Sequence, residues 1–256
     1  MSSKAAQIAT LPVPDTSALP FPTQSPMLIC LSGIDGAGKT RVAHRLEYAF
    51  QKQGIQARYQ WLCGGSSVFS EIMVRLIRRV MGSKGTFPQR HPLNQRKGFR
   101  FQVKRQLWYL LVGIDLVQFS IFKVRLPLFL GKVVICDRYT FDTFSDVASQ
   151  YEQDPTSSEM NSFEKFFHFF FPEPDLHYLL VANPDEVERP GRVDPAADED
   201  FQYKSQLYLT RYQPYARFVV KRVDGDIDRV EHEIVMETLK RYWGKARTNG
   251  RMGASL

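Results

Sequence analysis

Eight consecutive residues, Gly33-Ile34-Asp35-Gly36-Ala37-Gly38-Lys39-Thr40, concentrate groups that could do chemistry. The glycines let the backbone turn sharply and aim successive N–H groups inward, with no Cβ to block an anion. Lys39 adds a mobile positive charge, and Thr40 offers a hydroxyl to a divalent cation. Glycine, four residues, then Gly-Lys-Thr is the order that cradles phosphates, with the lysine on the β and γ groups and the threonine on Mg²⁺. A second constellation is Asp137-Arg138-Tyr139, which closes the apolar run Val133-Val134-Ile135-Cys136. An acid at the carboxyl end of a buried strand can hold the water shell of Mg²⁺, and the guanidinium beside it can grip a phosphate with two parallel bonds. The plainer alternative is a structural Asp-Arg pair that caps the next helix.

These groups need elements to position them. Five β-rich segments are predicted as strands: Met27 to Ser32, Ala57 to Leu62, Lys132 to Cys136, Leu176 to Val181 and Phe218 to Val223. Helical spacing predicts helices over Lys39 to Lys52, Ser70 to Met81, Gln102 to Phe122, Phe163 to Phe170 and Phe201 to Phe218. Alternating strand and helix argues for a parallel sheet covered on both faces. The glycine loop then falls between the first strand and the first helix, whose positive dipole end faces the same anion. Residues 82–98 and 183–200 read as long irregular connections interrupted by proline, the kind that serve as lids and binding loops.

The 256-residue chain is 43% hydrophobic and 24% charged, enough to bury a full core as one α/β domain. Domain 27–245 is expected to be flanked by a disordered tail over 1–26, rich in Ser, Ala, Thr and Pro, and by a second tail over 246–256. Cys30, Cys63 and Cys136 form an odd, scattered set and read as free thiols in a reducing, cytoplasmic setting. Leu107 to Phe122 is the most apolar stretch, but it is too short to span a bilayer and carries Asp115 at its middle, so it reads as a buried core helix rather than a transmembrane segment. His91, His168 and His177 lack metal-ligand spacing, and the aromatic run Phe163 to Phe171 has the spacing of core packing.

Charge is uneven. No Asp or Glu lies between Ile72 and Ile114, while Arg75, Arg78, Arg79, Lys84, Arg90, Arg96, Lys97, Arg100, Lys104 and Arg105 do. The other 24 basic residues face all 27 acids, so this segment holds the chain's excess positive charge. A solvated basic insert, about 82–105, is the ordinary reading. A surface for nucleic acid or an anionic membrane is the functional one.

Taken in order, GIDGAGKT, VVICDRY, PEPDLHYLLVANPDE, DEDFQYKSQLYLTRYQPYAR and a late VDGD resemble the thymidylate kinase family of nucleoside monophosphate kinases. The resemblance covers most of Met27 to Trp243. It implies a P-loop NTPase fold with a five-stranded parallel sheet, helices on both faces and a lid at about 184–200. It further implies ATP with Mg²⁺ as donor and transfer of the γ-phosphoryl group to a nucleotide acceptor, and a homodimer is compatible with it. By this likeness Gly33, Asp35, Gly36, Ala37, Gly38, Lys39 and Thr40 bind the nucleotide, and Thr40 and Asp137 organise the metal. Lys39, Asp137, Arg138 and the lid arginines Arg189 and Arg192 serve the transfer. Asp35 and Arg138 face the acceptor, with Asp115, Arg100 and Arg105 as further acceptor-side candidates.

The acceptor half departs from the family pattern. Trp61-Leu62-Cys63-Gly64-Gly65 stands where Arg-Glu-Pro-Gly is usual, and Asp115-Leu116 where Asp-Arg is usual. Asp142 and Val147 hold the spacings of a serine and a base-reading glutamine, and a carboxylate at Asp142 is expected to repel an incoming phosphate unless a cation from the insert compensates. Two rival readings stay open: a kinase of a different small acceptor, and a noncatalytic nucleotide-binding module whose basic insert engages a polyanion.

Overall fold

The computed structural model describes residues 25–62, 110, 113–151, 165, 169–182, 204, 206–208, 218–223 and 226–253. The five strands form where the β-branched runs predict them: β1 Met27–Gly33, β2 Ala57–Trp61, β3 Val133–Asp137, β4 Leu176–Ala182 and β5 Phe218–Val223. They make one all-parallel sheet in the order β2-β3-β1-β4-β5. β1 and β3 are buried along their whole length, as expected of strands covered on both faces.

Three strands run one residue past their expected carboxyl ends, β4 among them at Ala182, and the other two extensions matter for the site. β3 takes in Asp137, held in register opposite Leu31 and Trp61, and β1 takes in Gly33, opposite Leu180. From β1 the chain moves past β3 to β2, whereas from β3 it crosses back over β1 to β4. The sheet's switch point therefore lies at the carboxyl ends of β1 and β3, where crevices open in such folds.

Helix α1, Lys39–Lys52, matches its predicted bounds and buries Val42, Ala43, Leu46, Ala49 and Phe50 on one face against β1, β2 and β3. The right-handed crossover rule puts α3, Thr140–Tyr151, on the opposite face, where it packs on β1. Helix α4, Ile227–Gly253, lies against α1 and β5. Glu231 of α4 accepts from Arg41 at 2.8 Å and pairs with Arg45 at 3.2 Å, and Trp243 Nε1 donates to Gln53. Near the other end Lys245 pairs with Asp175 and donates to the Pro26 carbonyl.

Helix α4 continues to Gly253, past the limit of 245 expected for the domain. No proline interrupts this stretch, and a helix already anchored at Trp243 and Lys245 can propagate at one hydrogen bond per residue. One sequence expectation needs correcting, that of the apolar stretch before β3. Helical residues 113–119 lead into a π-helical turn, Ser120–Arg125, and then into α2, Leu126–Phe129. The wide turn precedes Pro127, whose ring would otherwise press on the carbonyl four residues back. Leu116, Ser120, Val124 and Pro127 face the core, but Ile114, Ile121, Phe122, Leu126 and Phe129 are exposed. Only one side of the expected core helix is buried.

Residues 1–24, the insert at 82–105 and the lid at 184–200 lie outside the described residues, as do Cys63, His91, His168 and the predicted helix over 70–81. Cys30 and Cys136 are buried free thiols. Among the described residues no helix is long and apolar enough to cross a membrane.

Gly33 sits at φ 139°, and a Cβ there would come within 2.2 Å of the Leu180 carbonyl oxygen. The two strands approach so closely that only glycine fits. Gly33→Ala is expected to lower stability by about 3 kcal/mol or more, through strain and forced separation of β1 from β4. Urea unfolding of the two proteins checks this.

Candidate active site

The loop after β1 brings its groups to the switch point. Gly36 and Gly38 both adopt positive φ, 94° and 85°, and Gly38 caps the start of α1 without a side-chain bond. Ala37 N–H turns back to the Ile34 carbonyl at 3.3 Å. Lys39 is only 5% exposed, and its Nζ donates to the Gly33 and Ile34 carbonyls at 2.6 and 2.8 Å, with Asp35 at 3.8 Å. Burial pushes this ammonium below the ordinary lysine range, Asp142 pulls it back up, and Arg138 adds to the depression. The loop therefore holds a desolvated cation folded over its own carbonyls, aimed where an anion would sit.

Thr40 opens α1 and donates its hydroxyl to Asp137 Oδ2 at 2.6 Å. The same oxygen accepts from Tyr59 of β2 at 3.0 Å. Burial, and then the charge of Asp137, raise the Tyr59 pKa, so the phenol stays protonated and acts as a donor. Asp137 Oδ1 is buried and has no hydrogen-bond partner among the described residues. A buried carboxylate oxygen left over in this way, beside a threonine hydroxyl, is a hard-oxygen donor of the kind a divalent cation takes.

Arg138 follows with φ 73°, a left-handed backbone that a non-glycine residue adopts at a cost of about 1–2 kcal/mol. Its N–H bonds the Leu31 carbonyl at 2.9 Å, and its guanidinium donates to Asp35 Oδ1 in the loop. Asp35 and Arg138, predicted from separate parts of the sequence, therefore meet at the loop's open side.

Asp142, which the sequence places near an incoming phosphate, lies elsewhere. It is 2% exposed, beneath the loop. Its Oδ2 accepts from Ser32 Oγ at 2.6 Å and from Tyr139 N–H at 2.9 Å, while its Oδ1 accepts from the Tyr208 hydroxyl at 2.8 Å and faces Gly33 N–H at 3.4 Å. Burial raises its pKa, opposed by Lys39 and the Ser32 hydrogen bond. It tethers the loop from below, within the core. Since Ser32 gives its one proton to Asp142, His177 Nε2–H donates to Ser32 Oγ at 2.8 Å. His177 stacks edge-on with Tyr139 and is a satisfied core histidine, as its setting predicts.

The sequence gives no sign of Tyr59, Ser32 or Tyr208 in these roles. A strand order placing β2 beside β3 is the one clue that could have brought Tyr59 to Asp137. Asp115 and Leu116 are both buried in the helix before the π-turn. Arg100, Arg105, Arg189 and Arg192 lie outside the described residues, as does the Val147 side chain. Among the described residues no cluster of three His, Cys, Asp or Glu side chains could hold a metal.

Two substitutions test this network. Asp142→Asn puts an amide donor among groups that already donate, and is expected to cost about 1–3 kcal/mol of stability. Burial lowers the His177 pKa to about 3, against 6.5 in an unfolded chain. The folded protein then refuses a proton that the unfolded chain accepts. Stability present above about pH 6.5 is lost as pH falls toward 3, by up to about 1.4 kcal/mol per pH unit. The raised pKa of Asp142 acts in the opposite sense over its own range, so comparing His177→Gln with the parent isolates the histidine. Denaturant midpoints between about pH 5 and 7 should fall less steeply in that variant.

No family model matches this sequence, and no curated protein does. Solved structures do. A thymidylate kinase from Candida albicans aligns over 85% of this chain and 94% of its own, with a TM-score of 0.57 and 18% identity. A thymidylate kinase from Ehrlichia chaffeensis aligns over 84% of this chain and 99% of its own, with a TM-score of 0.52 and 18% identity. With its glycine loop, parallel five-stranded sheet and strand-end acid, the chain has the P-loop NTPase fold in the form seen in thymidylate kinases.

Proposed function

We propose that the protein is an ATP-dependent phosphotransferase that moves the γ-phosphoryl group onto a nucleoside monophosphate. The observation that carries this reading is the convergence of Lys39, Thr40, Asp137, Asp35 and Arg138 on the carboxyl ends of β1 and β3. A noncatalytic nucleotide-binding module has no need for the Asp35–Arg138 pair or for a left-handed arginine that sets it.

The chain's own residues supply binding and electrostatics. The loop amides and Lys39 hold the donor phosphates, and the ammonium exchanges its two carbonyl bonds for phosphate oxygens as they enter. Thr40 and Asp137 would hold Mg²⁺, with Asp137 Oδ1 the oxygen that is left over for it. Bound there, the ion supplies neutralisation of charge on the transferring phosphates. Arg138, paired with Asp35, faces the acceptor side and steadies charge in the transfer, with Arg189 and Arg192 proposed as lid cations. Asp35 orients the acceptor and restrains Arg138 until an anion arrives.

Leu116 stands where relatives carry an acceptor-reading arginine, and it is sealed in the core at 2% exposure. A buried leucine cannot offer a charge-assisted bond, so base discrimination on this side is weak. Thymidylate is one acceptor among several in this reading.

Lys39→Met keeps the apolar stem within the loop and removes the charge. Turnover should fall by roughly 10²–10³-fold or more, with the folded state retained. Full activity in that variant rules out the assignment. Asp137→Asn should raise the Mg²⁺ concentration needed for half-maximal rate, read from ADP release over a metal titration. In the same assay across all nucleoside monophosphates, kcat/KM for thymidylate should stay within about a hundredfold of another acceptor. A larger preference, about 2.7 kcal/mol or more, would show that other residues read the base.

A further inference from the structure

We propose that Tyr59 is a positioning residue for the strand-end acid: its phenol fixes the rotation of the Asp137 carboxylate, so that Oδ1 is the oxygen offered to a divalent cation. This rests on the phosphotransferase reading and deepens its metal side. A carboxylate has about four acceptor sites, two on each oxygen. Asp137 Oδ2 takes the Thr40 hydroxyl at 2.6 Å and the Tyr59 hydroxyl at 3.0 Å, while buried Oδ1 has no hydrogen-bond partner among the described residues. Both donors sit on one oxygen, so the carboxylate cannot turn about its Cβ–Cγ bond without losing both. A single donor would leave it hinged; two donors from different elements fix its plane.

The sheet brings the phenol within reach. β2 pairs with β3 so that Tyr59 lies opposite Ile135 and Trp61 opposite Asp137. Tyr59 therefore shares a face with Asp137 but starts two residues behind it, and only a long side chain with a terminal donor reaches forward to the carboxylate. Helix α1 then clamps the residue. Its Glu47 accepts the Tyr59 N–H at 2.9 Å, and the His44 ring stacks on the phenol with centroids 4.2 Å apart and planes 27° apart. The same helix carries Thr40 in its first turn. One element thus supplies one donor to Asp137 and holds the other.

The two donors differ in what else they can do. The Thr40 oxygen retains lone pairs that a cation can use while its proton stays on Asp137. Half-buried Tyr59 reaches the site only through its bond to that acid. A bond serving merely to tie β2 to β3 is redundant there, since the two strands already pair from Ala57 to Trp61. Removing a group that orients a ligating side chain commonly lowers metal affinity by about 10–100-fold.

Tyr59→Phe removes the donor and keeps the ring on His44. The test follows Mn²⁺, standing in for Mg²⁺, by the paramagnetic resonance signal of the free ion, with the full chain in excess over a nonhydrolysable ATP analogue. Mn²⁺ affinity of the complex is expected to fall about tenfold in Tyr59→Phe, while calorimetric affinity for the analogue without metal and the circular dichroism spectrum keep the parent's values. In an Asp137→Asn background the same change should add little, because the two side chains act as one unit. His44→Ala, at an exposed ring, frees the phenol without removing it and should shift Mn²⁺ affinity in the same direction. Parent Mn²⁺ affinity in Tyr59→Phe, or in His44→Ala if the first variant does not fold, overturns the proposal. So does an equal loss of analogue affinity without metal, or a full further loss on top of Asp137→Asn. A parent protein that binds no analogue overturns the phosphotransferase reading itself, and with it this role, before any variant is made.

Discussion

One carboxylate buried beneath the glycine loop holds together the parts that meet at the switch point. Asp142 takes hydrogen bonds from Ser32 at the end of β1, from Tyr139 in the turn after β3, and from Tyr208 in a segment 66 residues further along. These are the three stretches that carry the loop, the strand-end Asp137 with Arg138, and the chain around Tyr208. A buried charge is tolerated only when nearly every lone pair is used, and here the desolvation of Asp142 is offset by its donors and by the nearby Lys39 ammonium. Loop position and acid position are thereby one variable. Moving either leaves a carboxylate in the core with too few partners.

The left-handed backbone at Arg138 is the second constraint. An ordinary strand exit would carry residue 138 onward to α3 and send its side chain toward that helix's first turn. At φ 73° the N–H closes onto Leu31, and the guanidinium swings back over the loop to Asp35. The conformational cost is offset by an ion pair and a backbone bond, an arrangement typical of sites where geometry is held against local preference. Asp137 and Arg138, adjacent in sequence, thus face different tasks: one points into the sheet's end toward Thr40, the other outward across the crevice.

Much of this was legible because it is local. The loop's glycines, lysine and threonine lie within eight residues, and the strands bordering them are unbroken apolar runs whose ends the structure moves by one residue. The Asp142 network was not legible, because its partners are 110 residues away at Ser32 and 66 at Tyr208, and no local pattern distinguishes a buried tether from an exposed acid. The spacing after Asp-Arg-Tyr therefore suggests a carboxylate open to an incoming phosphate, whereas Asp142 is buried among hydrogen-bond donors. The helix before β3 misled for a different reason. An apolar residue at nearly every position reads as complete burial, since composition cannot say that one side of a helix is exposed.

Helix α4 carries a consequence for the order of assembly. The δ-methyl of Ile227 would lie 2.7 Å from a Cβ placed on Gly38, and Asp228 and Glu231 pair with Arg41 one turn into α1. The glycine loop spans 33–40, yet one wall of it is supplied by residues that leave the ribosome nearly two hundred positions later. Parallel pairing already makes every strand contact in the sheet long-range, which slows folding. A nascent chain halted before β5 would carry the whole motif and still lack the wall that shapes it, so the loop takes its folded form only after α4 has been made.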